Sequence, residues 1–321
     1  MSARGAGTGD AARAPRLVAL RALGLGDLLT AVPALRALAR AFPRHSRALA
    51  APAPLAPLAR LAGWPVVPVG ELQPLPPALH GVDLLANLHG CGPQSHRLVL
   101  DARPERTIWY EHPDIGESAG SPRWVEREHE VERWCRLLRD HGIHADPRDL
   151  DLPAPPGRPP AAARGATVIH PGATSGARRW PLERFAAVAR AEAAAGRRVV
   201  VTGSRAELPL ARRLAARARL PDRAVLAGTT DLEGLARVVA AAARVVCGDT
   251  GVAHLATALA TPSVVLFGPT SPAQWGPPHA RARNRVLWSG RTGDPHARRP
   301  HPGLLQISPQ DVLRELEQLP A

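Results

Sequence analysis

The sequence predicts a two-domain α/β protein whose halves are each built on a doubly wound parallel sheet. Length is the first indication, because 321 residues can supply two cores of ordinary domain size. Alternation is the second: from residue 164 onward, strand-length apolar runs alternate with helix-length amphipathic ones as βαβαβαβαβ. The third is residues 244–270, RVVCGDTGVAHLATALATPSVVLFGPT, which read as strand, tight turn, helix, strand and Gly-Pro-Thr loop. A composition of 45% hydrophobic but only 3% aromatic residues suits α/β layers better than an all-β sandwich.

Residues 1–15 are small, polar and basic and read as a disordered tail, lacking the apolar core of a signal peptide. Residues 16–152 form the expected first domain, opening on a strand at 16–21 and the loop ALGLG. Asp27 then begins a helix in which Leu28, Val32, Leu35, Leu38 and Phe42 recur at helical spacing. Pro33 predicts a kink or a late start there. The glycine pair of the loop lacks the third glycine and the downstream acid of a dinucleotide site. Short strands are expected within 64–69 and at 82–88, the latter running into HGCGPQSHRLVL. Gln94, Ser95 and His96 there are candidates for an acceptor cleft, or equally for capping the next helix. Val131, Trp134, Cys135 and Leu138 share one face of a helix over 129–138.

Residues 153–163 are Pro-rich and read as a linker. In the second domain, 164–305, strands are expected at 167–170, 198–202 and 224–226, with helices over 181–195, 206–219 and 231–241. An edge strand is expected at 286–288 and a polar, mobile loop at 290–303, before a final helix within 306–321.

All 41 basic residues are arginine and the net charge is +13, which attracts anionic partners without choosing among them. Scattered arginines without interleaved aromatics argue against nucleic acid. The cysteines, three in number and far apart, fit a reducing compartment and no zinc site. No apolar stretch approaches a bilayer-spanning length, so a cytoplasmic protein, at most peripheral to the membrane's inner face, is expected.

Chemistry concentrates where loops leave strands on one sheet edge. There the turn Gly248-Asp249-Thr250-Gly251 opens a helix whose free N–H groups and positive dipole end favour a phosphate, with His254 one turn further on. The same edge receives HPGATSGARRWP, with Thr174 and Arg178, and TGSRAE, where Glu207 could accept from a ribose diol. Each also has a plainer reading as a capped turn or a solvated arginine pair.

With RALGLGDLLTAVPALRAL, HPGATSGARRWPLERF, VTGSRAE, TTDLEGLARVV and CGDTGVAHLATALATPSVVLFGPT in this order, the chain resembles glycosyltransferase family 9, the bacterial ADP-heptose heptosyltransferases. The resemblance implies a GT-B fold, two Rossmann-like domains facing a central cleft, the second holding an ADP-sugar and the first the acceptor. It implies Asp27 of the Gly26-Asp27 pair as general base, with Gly26 joining Gln94, Ser95 and His96 as an acceptor-side candidate. It places the donor on Thr174, Arg178, Glu207, Asp249, Thr250, Gly251 and His254, with Arg178 standing where the family has lysine. The loop 289–303, cysteine-bearing in many members, has none here. The activity implied is heptose transfer, in lipopolysaccharide biosynthesis, to a saccharide or glycolipid hydroxyl. The transfer this implies is inverting and metal-independent, with helix dipoles and cations stabilising the leaving diphosphate, the ADP-sugar being substrate and no cofactor needed. Two other classes stay open: an inactive nucleotide-sugar-binding protein, and a basic module for anionic membrane or nucleic acid.

Overall fold

The computed structural model describes residues 14–278 and 282–320, so the expected tail lies, but for its last two residues, outside the described residues. Strands β1 (Arg16–Leu20), β2 (Ser46–Ala51), β3 (Val66–Pro68), β4 (Leu84–Asn87) and β5 (Arg106–Ile108) form one parallel sheet in the order β3-β2-β1-β4-β5. Strands β6 (Thr167–His170), β7 (Val199–Val201), β8 (Arg244–Gly248), β9 (Ser263–Leu266) and β10 (Asn284–Leu287) form a second, ordered β10-β9-β8-β6-β7 and also parallel. The central strands are buried on both faces, as continuous runs such as Leu17–Leu20 and Val245–Cys247 require. In each sheet the winding reverses beside the first strand, between β1 and β4 and between β6 and β8, and ligands of such sheets bind outside the carboxyl ends of the strands at that point.

The opening helix is divided. Leu25–Thr30 and Val32–Ala41 meet at Ala31, with Pro33 in the first turn of the second piece, where its missing N–H is harmless. The strand expected at 224–226 is absent. A 3-10 turn, Asp222–Ala224, occupies its start, and only Val225 bridges Val201 in parallel, because the apolar run Val225-Leu226 is too short to extend the ladder. The polar loop expected to be mobile is tied to the loop after β6: the Ala177 N–H donates to the Ala297 carbonyl at 2.8 Å and His301 N–H to Ala177 O at 3.1 Å.

The two cores expected to be separate are joined. Leu28, Leu35 and Trp134 of the first domain and Val245, Val252 and Leu255 of the second lie in one apolar cluster. The junction is the contact between the helices Leu25–Thr30 and Gly251–Ala258. It depends on two glycines: a Cβ on Gly26 would lie 2.8 Å from His254 Cδ2, and one on Gly251 2.9 Å from Leu25 Cβ. Neither glycine has positive φ, so both are required by proximity rather than by backbone conformation. The linker follows this seam, Leu152 N–H donating to Ala258 O at 2.7 Å and Arg237 Nε to Pro156 O at 2.6 Å. A helix Pro309–Glu317, capped by Ser308, closes the chain on the helix Leu182–Ala194. No helix among the described residues is long and apolar enough to cross a membrane.

Candidate functional site

A cleft of about 1010 Å³ lies between the domains, at the carboxyl ends of both sheets. Its first-domain wall is the turn after β1, Gly24 to Asp27, with Ala53, Pro54 and Pro57. Its second-domain wall comes from the loops after β6, β7 and β8, which bring Thr174, Arg178, Glu207, Asp249, Thr250, Gly251 and His254 together.

Asp27 sits in the first turn of its helix with its side chain 28% exposed. One carboxylate oxygen accepts from Gly24 N–H at 3.2 Å, satisfying a free donor at the helix start, and the other faces Arg21 Nη2 at 3.3 Å. Across the cleft, the helix Gly251–Ala258 presents its amino end, with Thr250 as N-cap accepting from Val252 N–H. Thr250 keeps its hydroxyl proton for donation elsewhere. His254 packs edge-on to Trp275 at 6.0 Å, and burial pushes its imidazole down to about 4. That leaves it neutral near pH 7.

Asp249 has a role that polarity alone does not suggest. It is 4% exposed, its carboxyl is pushed up by burial, and Arg178 Nη1 at 3.9 Å and a hydrogen bond with Thr270 oppose that push. A carboxylate repels a phosphate. Its contribution is to aim the Arg178 guanidinium, whose Nε is buried without a partner among the described residues. An unpaired buried N–H beside a polar cleft fits an anionic occupant. Glu207 accepts from the N–H and hydroxyl of Ser204 at 2.8 and 2.9 Å. Against its burial, Ser204, His170 and Arg179 hold its carboxyl below the usual range. The Glu207 side chain lies over the backbone of Gly172, where a Cβ would come 2.0 Å from Oε1, so a larger residue there would push the Glu207 carboxylate from its place. Among the described residues, no group of three or more His, Cys, Asp or Glu side chains could hold a metal ion.

Of the acceptor-side candidates, Gly26 lines the cleft, whereas Gln94, Ser95 and His96 do not join this site. Ser95 and His96 are 2% and 0% exposed within the first domain, and Gln94, though exposed, is outside the cleft lining. Ser95 Oγ bonds Asn87 and the Gly92 carbonyl; His96 stacks on Trp109 and bonds the carbonyls of Gly92 and Tyr110. The helix Pro93–Asp101 turns those side chains inward because they follow the buried face completed by Val99. Thr230, Asp231 and Trp275 also line the cleft; the first two lie in the TTDLEGLARVV stretch that carries the family resemblance, although it implies no site role for them, and Trp275 lies outside every such stretch. Asp231 is the N-cap of Leu232–Ala241, its side chain accepting from Gly234 N–H.

Buried His170 and half-buried His89 and His254 make stability depend on pH. His89 and His254 are pushed down to about 4, and His170 is lowered, in each case chiefly by burial. The unfolded chain takes up protons near pH 6.5 that these imidazoles refuse, so their stabilisation is complete above that pH and is lost as pH falls toward 4. The urea midpoint is expected to decline over that window, and less steeply in His254→Gln.

The family model for glycosyltransferase family 9 (heptosyltransferase) matches residues 125–302. Lipopolysaccharide heptosyltransferase 2 of Salmonella typhimurium is 32% identical over 212 residues, which are 59% of this chain and 61% of that one. The chain thus aligns with about three fifths of the length of such curated relatives. The structure of E. coli ADP-heptose lipopolysaccharide heptosyltransferase II superposes with a TM-score of 0.74 at 23% identity, covering 94% of this chain and 97% of that one. E. coli heptosyltransferase WaaC with ADP gives 0.70 at 22%, covering 94% and 99%. The shared architecture is GT-B.

Proposed function

We propose, from the premise that the chain belongs to glycosyltransferase family 9, that it transfers heptose from ADP-heptose to a hydroxyl of a lipopolysaccharide core. The observation that carries this reading is the disposition of Asp27 across one cleft from Arg178 and the amino end of Gly251–Ala258. A relative named lipopolysaccharide heptosyltransferase 2 and an ADP-containing neighbour of the same fold support the donor and acceptor classes.

In this reading Asp27 takes the proton of the acceptor hydroxyl as its oxygen attacks the anomeric carbon. The new C–O bond forms as the bond from that carbon to the diphosphate oxygen breaks, and a single displacement inverts the anomeric centre. Charge gathering on the departing ADP meets Arg178, the Thr250 hydroxyl and the helix dipole. Those groups supply positive potential from the protein, which supports a metal-independent reaction with no cofactor beyond the sugar nucleotide. Glu207 receives the ribose hydroxyls. A net charge of +13 supports contact with the anionic inner face of a membrane, where a glycolipid acceptor is presented.

A thermal-shift panel tests the reading. ADP and ADP-heptose are expected to raise the melting temperature, and UDP and GDP to do so far less. Equal shifts with all nucleotides, or none, would contradict the donor assignment.

A further inference from the structure

Beneath Asp27 lies a charge cluster that the transfer step does not use directly. Arg21, at the end of β1, is 1% exposed. Its Nε donates to the Asp27 carbonyl at 3.0 Å and its Nη1 to the Leu88 carbonyl. Its Nη2 is shared by Asp27 Oδ1 at 3.3 Å, Thr30 Oγ1 at 3.4 Å and Glu130 Oε1 at 2.8 Å. Trp134 stacks on the guanidinium at 4.7 Å and donates its indole N–H to Glu130 Oε1 at 2.9 Å. Glu130 is itself 6% exposed, and its other oxygen accepts from Arg133 Nε at 3.0 Å.

One buried cation therefore faces two carboxylates, and the shorter contact belongs to the one outside the cleft. We propose that Glu130 is a positioning residue that sets the strength of Asp27 as a base, acting through the guanidinium of Arg21. This rests on the reading of Asp27 as the base. Left alone with Asp27, a buried guanidinium would favour the carboxylate so strongly that it became a poor proton acceptor. Glu130 draws off part of that field while Arg21 keeps Asp27 oriented. The histidines that face Asp27 are His89 beyond β4 and His254 on Gly251–Ala258, and His129, beside Glu130, faces His254 in turn. His89 and His254, held down to about 4, are largely neutral above pH 4.5.

The test compares wild type, Glu130→Gln and the double variant Arg21→Gln/Glu130→Gln. Turnover of ADP-heptose with heptose-free lipopolysaccharide core is followed from pH 4.5 to 9, and the Asp27 carboxyl is titrated by ¹³C NMR, assigned with Asp27→Asn. Glu130→Gln preserves shape and keeps an acceptor for Arg21 and Trp134, while its NH2 replaces the oxygen that accepts from Arg133 Nε, a guanidinium still held by the carbonyls of Val125, Glu126 and Glu128. Its acid limb and carboxyl titration are expected to move to lower pH by about one unit, with kcat down several-fold and the KM for ADP-heptose within about twofold of wild type. In the double variant both are expected to move above wild type, since the cation is gone. A merely structural network would not displace the titration in opposite directions. Unmoved titrations, or displacement the same way in both variants, would overturn the proposal. The NMR reading needs no turnover, so a silent wild-type assay would sink the transferase reading separately.

Discussion

Asp27→Asn is expected to lower kcat by about a hundredfold to ten-thousandfold, the range attributable to a positioned general base. The amide retains the shape of the carboxylate and can still accept from Gly24 N–H at the helix start, so the fold and the joined core should survive. Donor affinity should survive as well, because Thr174, Arg178 and the Asp249–Gly251 turn come from the second domain. Steady-state kinetics with ADP-heptose, alongside a melting curve with ADP, check this. Near-normal turnover by a folded Asp27→Asn variant would remove Asp27 from the reaction.

Arg178→Ala is the second large effect, acting on the donor side. Losing a charge-assisted contact to a diphosphate is expected to reduce kcat/KM by about a hundredfold to a thousandfold and to weaken the melting shift produced by ADP. Truncation also leaves Asp249, 4% exposed, without its cation, so the apo melting temperature should fall too. Arg178→Ala/Asp249→Asn separates the two effects: it should regain stability but not turnover. Arg178→Lys retains the charge and should lie between wild type and Arg178→Ala. A variant lacking the guanidinium that bound ADP as tightly as wild type would show that the orphaned Nε marks no anion site.

The fold and much of the cleft lining are legible in the sequence because both depend on short-range signals. Each cleft loop of the second domain follows an apolar run and precedes a helix, so parallel winding alone brings Thr174, Glu207 and Asp249 to one edge. Val225 reads as part of a strand because propensity cannot say how many residues a ladder will accept. Ser95 and His96 read as cleft candidates because polarity does not reveal which face of a short helix turns inward. Glu130 is invisible as a partner of Arg21: the two stand 109 residues apart, and nothing local to either predicts the contact. The fused core is hidden for a similar reason, since the close crossing at Gly26 and Gly251 exists only once both domains are folded.

The most direct measurement of the account is of the product itself. ADP-heptose is incubated with the protein and heptose-free lipopolysaccharide core, ADP release is quantified, and the configuration of the new linkage is read by NMR. Acceptor-dependent release of ADP, with one heptose transferred per ADP and the anomeric configuration inverted, is the result expected. Retention of configuration, or no transfer by a folded protein that binds ADP, would contradict single displacement from an ADP-sugar assisted by Asp27.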